Sequence, residues 1–162
     1  MSRPNQEMSL AVEAFMTRRL YTVGPEDRVY DVVQQLVKRG YSGCPVVEDG
    51  RIVGVISEKD CIRALMRAVV DRLPASFVRD VMSTQLITIQ KDTTLLSAAH
   101  LFLQHPIRRL PVVDEKMRLL GQVSRSDLLS HAVKVFDSVG SRSAAVLYLS
   151  AIEGTQPPVD RR

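Results

Sequence analysis

Two Ser-x-x-Asp elements, Ser57-Glu58-Lys59-Asp60 and Ser124-Arg125-Ser126-Asp127, hold the side chains best suited to a phosphorylated sugar. A serine at a strand-to-helix junction leaves the first-turn N–H groups pointing outward, and with its hydroxyl they form a seat for phosphate oxygens. An ionised Asp one turn on accepts two hydrogen bonds from a ribose diol. The second element is the better equipped. Ser124 and Ser126 offer two hydroxyls beside Asp127, and Arg108-Arg109 stand just before Leu110-Pro111, where guanidinium groups can grip phosphate in bidentate fashion. Ser42 and Gly43 occupy the corresponding positions ahead of the first element and bring no cation. The same residues also spell a capping box, in which Ser57 and Asp60, or Ser124 and Asp127, satisfy the N–H groups of their own helix. Both readings remain open from spacing alone.

The elements that must position these groups occur twice. Residues 16–60 overlay residues 82–127 with a single one-residue gap, and ten of forty-five aligned positions are identical. Chance would give about three. The shared residues are Met16/Met82, Leu20/Leu86, Thr22/Thr88, Pro45-Val46-Val47/Pro111-Val112-Val113, Arg51/Arg118, Gly54/Gly121, Ser57/Ser124 and Asp60/Asp127. In the first copy a β-type run, Leu20 to Val23, precedes apolar residues at Val29, Val32, Val33, Leu36 and Val37, the spacing of an amphipathic helix. Copy two repeats it at Leu95, Ala98, Ala99, Phe102 and Leu103. Cys44 to Val47 and Ile52 to Ile56, separated by Glu48-Asp49-Gly50-Arg51, predict a hairpin; Leu110 to Val113 and Leu119 to Val123 match it. A second helix starts at each serine, with Ile62, Leu65 and Met66 in one copy and Leu128, Leu129 and Val133 in the other. The unit is β-α-β-β-α, used twice, and the fold class is α+β. Units of about fifty residues lie near the lower limit for an independent core, so the copies are expected to pack face to face as a pseudo-twofold pair.

The expected organisation is repeat one over residues 10–66, repeat two over 77–135, and an extension with a disordered tail over 136–162. Leu10 to Met16 leads into copy one, and after the break at Leu73-Pro74-Ala75, Ser76 is the expected N-cap of a short helix leading to Val81-Met82. Ala144 to Ile152 forms a further short helical candidate.

Composition narrows the function classes. With 162 residues, 45% hydrophobic and 25% charged, the chain has the profile of one globular domain. No apolar run reaches membrane-span length and the first residues lack a signal-peptide core, so a cytoplasmic location is expected. A net charge of +4 with scattered Lys and Arg fits an anionic ligand and gives no basic stripe for nucleic acid. Cys44 and Cys61, inside apolar segments, are read as buried thiols rather than a disulfide or zinc site. His100, His105 and His131 are dispersed and read as surface or boundary residues, with no metal expected. No GxSxG, HExxH, Walker or GxGxxG motif is present, which favours a binding protein over an enzyme.

The unit with Met-Thr or Met-Ser before its first strand, Pro-Val-Val in its second and Gly-x-x-Ser-x-x-Asp entering its last helix resembles the CBS domain, named after cystathionine β-synthase. Two in tandem resemble a Bateman module, similar in this respect to the four-repeat regulatory γ subunit of AMP-activated protein kinase. The resemblance spans about residues 10 to 135. It implies repeats joined through their sheets, dimerisation into a disc, and adenosine-containing ligands between repeats. By the same resemblance Arg108 and Arg109 reach phosphate, while Thr22 and Thr88 line the adenine side. Tyr41 and Ile107 pack on a base or close the core, the core being favoured. The implied function is a regulatory module that binds AMP, ADP or ATP and reports occupancy to a separately encoded enzyme or a transporter. NAD or S-adenosylmethionine fit the ribose argument equally well. The competing reading is a scaffold whose duplication serves dimerisation alone, with no ligand.

Overall fold

A computed structural model describes residues 10–72 and 76–139. The break at Leu73-Pro74-Ala75, the tail and the helical candidate Ala144 to Ile152 lie outside the described residues. Copy one comprises α1 (Val29–Arg39), β1 (Gly43–Glu48), β2 (Arg51–Ser57) and α2 (Glu58–Val70). After the short α3 (Val78–Val81), copy two follows with β3 (Ile89–Gln90), α4 (Leu95–Gln104), β4 (Arg109–Val113), β5 (Leu119–Ser124) and α5 (Arg125–Val139). The fold is α+β, as the duplicated pattern predicts.

The helices follow the apolar spacing and stop where the chain forces them to. Val29, Val32 and Leu36 are buried along α1, and Leu95, Ala98 and Phe102 along α4. Val37 and Leu103, the last positions of each predicted stripe, are largely exposed. They lie beyond the reach of the core. Gly40, at φ 65°, ends α1, and the N–H groups of Gly40 and Tyr41 turn back onto the carbonyls of Val37 and Leu36 at 3.2 and 3.0 Å. Pro106 occupies the aligned position after α4, where its ring and missing N–H do the stopping.

Both hairpins are antiparallel and in the predicted register, with Gly43 facing Ser57 and Arg109 facing Ser124. The first strand of each unit is smaller than expected. In copy two it is the two-residue β3, parallel to β4, and in copy one it shrinks to a single parallel bridge between Val23 and Val46. That bridge retains two backbone bonds, Val23 N–H to Pro45 O at 3.2 Å and Val47 N–H to Val23 O at 2.8 Å.

The lead-in segments exchange places. Thr17, ahead of copy one, pairs with Gln122 in β5 of copy two; Ser83, ahead of copy two, pairs with Val55 in β2 of copy one. Each pairing has two backbone bonds of 2.9–3.0 Å. Val12 and Met16 therefore belong to the copy-two core, while Val78 packs in the copy-one core with Val81 and Met82 against it. The shared glycines make room for this. A Cβ on Gly54 would stand 2.7 Å from Met82 Sδ, and one on Gly121 would stand 2.7 Å from the Thr17 carbonyl and 3.1 Å from Met16 Sδ. Where the hairpins meet, Arg51 faces Arg118 in a further antiparallel bridge, so the two repeats close around a pseudo-twofold relation.

Ser76 does not cap α3. Phe77 is the N-cap residue, and the Asp80 carboxylate accepts its N–H at 3.0 Å. The Ser76 carbonyl instead accepts the N–H of Val29 at 3.0 Å, fastening the linker to the start of α1. His131, read from the sequence as a surface or boundary residue, is only 9% exposed and stacks on Phe15 with ring centroids 4.5 Å apart. The exchange explains it, because Phe15 arrives on the lead-in segment from the other end of the chain.

Candidate functional site

Strand alternation turns two faces of each hairpin to different partners. Cys44, Val46 and Ile56 face the helices of copy one. Pro45, one step out of phase, faces the other repeat and meets Pro111 and Gln122 across a cavity of about 440 Å³. Cys44 and Ile56 also reach its wall. From copy one the cavity takes Ser42, Gly43 and Val55, then Ser57, Glu58 and Lys59 at the start of α2; from copy two it takes Pro106, Ile107, Arg108 and Arg109. Its size lies within the usual range for small-molecule sites.

The floor is buried and mostly apolar, formed by Cys44, Pro45, Ile56 and Pro111. Cations stand above it. Arg109 is half-buried and donates from one guanidinium nitrogen to Ser42 Oγ at 3.2 Å and the Gly43 carbonyl at 3.4 Å. The Ser42 carbonyl accepts the Glu58 N–H at 3.0 Å, which ties Arg109 through one residue to the first turn of α2. Lys59 and Arg108 are exposed, one from each repeat, with Glu58 the single carboxylate among the wall residues. Burial, and next the neighbouring Cys61, push the Cys44 thiol up to about 12, against the opposing pull of Arg109. Cys44 is thus a neutral wall, not a nucleophile. Cys61 is likewise a buried free thiol whose pKa is raised, first by burial.

Both Ser-x-x-Asp elements close as capping boxes. In copy one Asp60 Oδ2 accepts the Ser57 N–H at 3.0 Å and hydroxyl at 2.6 Å, and Asp60 N–H donates to Ser57 Oγ at 3.3 Å. In copy two the matching distances for Ser124 and Asp127 are 2.8, 2.7 and 3.1 Å. The outer oxygens differ. Asp60 Oδ1 accepts from Arg63 at 3.3 Å, whereas Asp127 Oδ1 has no protein partner among the described residues.

The structure groups Arg108, Arg109 and Ile107 with Ser57, so the arginines reach across to the first element. Ser124, Ser126 and Asp127 lie outside this cavity's walls. Asp60 stands behind Ser57 through the capping box. Thr22 is exposed and Thr88 lines a different cavity of about 450 Å³ with Gln90, Asp92 and Asp114. Ile107 packs against the copy-two core as well as the cavity, while Tyr41 is 40% exposed and closes no core. Lys59, Gln122, Cys44 and the paired prolines were not expected from the sequence to line the site. Pro45 and Pro111 were nevertheless legible, since period-two alternation puts them opposite the core-facing valines. Lys59 carried a signal too, two residues beyond Ser57 in the first turn.

Among the described residues no helix is long and apolar enough to cross a membrane. The chain matches the CBS domain twice, over residues 12–67 and 78–134. An uncharacterised protein of Methanocaldococcus jannaschii, MJ1225, is 28% identical over 129 residues, covering 74% of this chain and 46% of that protein. The chain thus spans about half the length of the curated relatives it first matches. A crystal structure of CBSX2 in complex with AMP, a protein of Arabidopsis thaliana, superposes with TM-score 0.69 at 32% identity over 77% of this chain and 97% of that one. The cytosolic domain of the Mg²⁺ channel MgtE in complex with ATP superposes with TM-score 0.63 at 28% identity, over 74% of this chain and 48% of that one. Duplicated hairpins, exchanged lead-in segments and matching sequence lead to one conclusion: the chain belongs to the CBS domain family and carries two copies of the domain.

Proposed function

We propose that the chain is a non-enzymatic regulatory module that binds an adenine nucleotide, AMP, ADP or ATP, between its repeats. One observation carries this reading: the inter-repeat cavity joins an apolar floor to Ser57, Arg108 and Arg109. A base fits the floor, and the phosphate groups of a nucleotide fit the guanidinium groups and the serine hydroxyl. The AMP complex of CBSX2 and the ATP complex of the MgtE cytosolic domain, both similar in structure to this chain, support the choice of ligand. Asp60 is the proposed ribose acceptor on this side. Ser124, Ser126 and Asp127, with Thr88, form the mirror set for a second ligand, and Asp127 keeps an oxygen available for it. Thr22 and Tyr41 are the proposed outer contacts to the base.

Occupancy is proposed to reach a partner, a separately encoded enzyme or a transporter, through a shift in packing between repeats or between two copies of the chain, in the cytoplasm. Ile62 is 62% exposed and Leu129 63% exposed, with Met66, Val69 and Val133 also open, which supports burial of these helical faces in a homodimer. Leu128 belongs to the core of copy two instead.

Thermal unfolding with AMP, ADP, ATP, NAD and S-adenosylmethionine tests the ligand. Saturation at a hundred times the dissociation constant adds about 2.7 kcal/mol, a shift of roughly 2–4 °C per kcal/mol. No shift with any nucleotide at millimolar concentration would leave the ligand-free scaffold reading in its place. Light scattering should give twice the 18.1 kDa chain mass.

A further inference from the structure

The cations of the cavity are arranged by depth. Of the three that line it, Arg109 is half-buried and donates to Ser42 and Gly43, whereas Lys59 and Arg108 are exposed. The two outer cations come from opposite repeats, Lys59 from the first turn of α2 and Arg108 from the residue before β4. In the repeat alignment Ser126 replaces Lys59, Ser42 replaces Arg108 and Gly43 replaces Arg109, so the pseudo-equivalent positions carry none of the three.

We propose that this cavity measures the length of the phosphate chain and takes the adenosine di- and triphosphates in preference to the monophosphate. The inference rests on the reading of the cavity as the nucleotide site. With the base on the proline floor, the α-phosphate meets Arg109, the innermost cation. A monophosphate ends there. Further phosphates run outward to the mouth, where Lys59 and Arg108 close on them from both sides, so only a polyphosphate links the two repeats through charge. Glu58, the carboxylate beside Lys59, opposes surplus anion at the rim and keeps the outer field smaller than its two cations alone would give. Because Lys59 and Arg108 are exposed, their contribution is screened by salt, while that of half-buried Arg109 is screened less.

Calorimetry on the full chain, without magnesium, with adenosine, AMP, ADP and ATP tests this in wild type, Lys59→Ala and Arg108→Ala. Both residues are exposed, so both variants should fold, which unchanged melting without ligand checks. The expected order of affinity is ATP over ADP over AMP. Each variant should weaken ATP by about three- to tenfold and AMP by much less, compressing the ATP-to-AMP ratio. Raising salt should compress that ratio in wild type as well. AMP binding as tightly as ATP, or either variant weakening AMP as much as ATP, overturns the length reading while leaving the nucleotide site intact. Absence of binding by every nucleotide overturns the site itself, and the length reading with it.

Discussion

Copy one and copy two agree at the residues that build the fold and differ in the charge they bring to the cleft. Met16/Met82 with Gly54/Gly121 lets the lead-in segments cross, Val46/Val112 fills the cores, Arg51/Arg118 meets at the pseudo-axis, and Ser57/Ser124 with Asp60/Asp127 caps the second helices. The cavity-wall residues Arg108, Arg109, Gln122, Glu58 and Lys59 align with Ser42, Gly43, Val55, Arg125 and Ser126 in the other repeat. The shared positions carry the architecture, and all three cations of the cavity wall stand at positions that differ between the repeats.

The most disruptive test of this equivalence targets the glycines. Gly121→Ala sets a Cβ against the Thr17 backbone carbonyl, which cannot move without losing its pairing with Gln122. Gly54→Ala presses first on the thioether of Met82, a flexible end. Both should destabilise, by about 1–3 kcal/mol in urea unfolding, with Gly121→Ala the more severe. Equal or reversed effects would show that the exchange is not what fixes these positions.

A second test separates the copies by pH. Cys44 titrates near 12 in the folded chain, above the ordinary thiol value of 9.0, and Leu110 stands in its place in copy two. The folded state thus holds the proton longer than the unfolded one. Its stabilising effect is complete below about pH 9 and is lost as pH rises toward 12, so unfolding free energy should fall by at most roughly 2 kcal/mol between pH 8 and 10.5. Cys44→Ala, compared with wild type across that range, should flatten the slope. An unchanged slope would assign the alkaline loss to other groups.

The smallest expected difference is between the caps. Ser57→Ala and Ser124→Ala each remove one capping box, and each should cost about 1 kcal/mol in thermal or urea unfolding. Near equality supports the architectural reading of the Ser-x-x-Asp pairs. A much larger loss at one serine would mean that its copy depends on the cap for more than helix ends.

The repeat, the hairpins and all four long helices were legible because periodicity and turn residues are local. The Leu20 to Val23 strand was overread, since β-type composition does not say whether a partner strand lies alongside for more than one residue. His131 was misplaced because Phe15, which covers it, comes from a segment remote in sequence. The pairing of Arg109 with Ser42, rather than any grouping within copy two, likewise depends on how the repeats face each other. Spacing within one repeat carries no such information.

The crossed lead-in segments also govern how this chain leaves the ribosome. The first repeat lacks Val78, Met82 and the Ser83 pairing until synthesis has passed well into the linker, and Thr17 must wait for Gln122, nearly the whole folded length later. Neither half can finish as an autonomous nascent domain. A truncation between the repeats would leave two cores, each missing the segment that closes it.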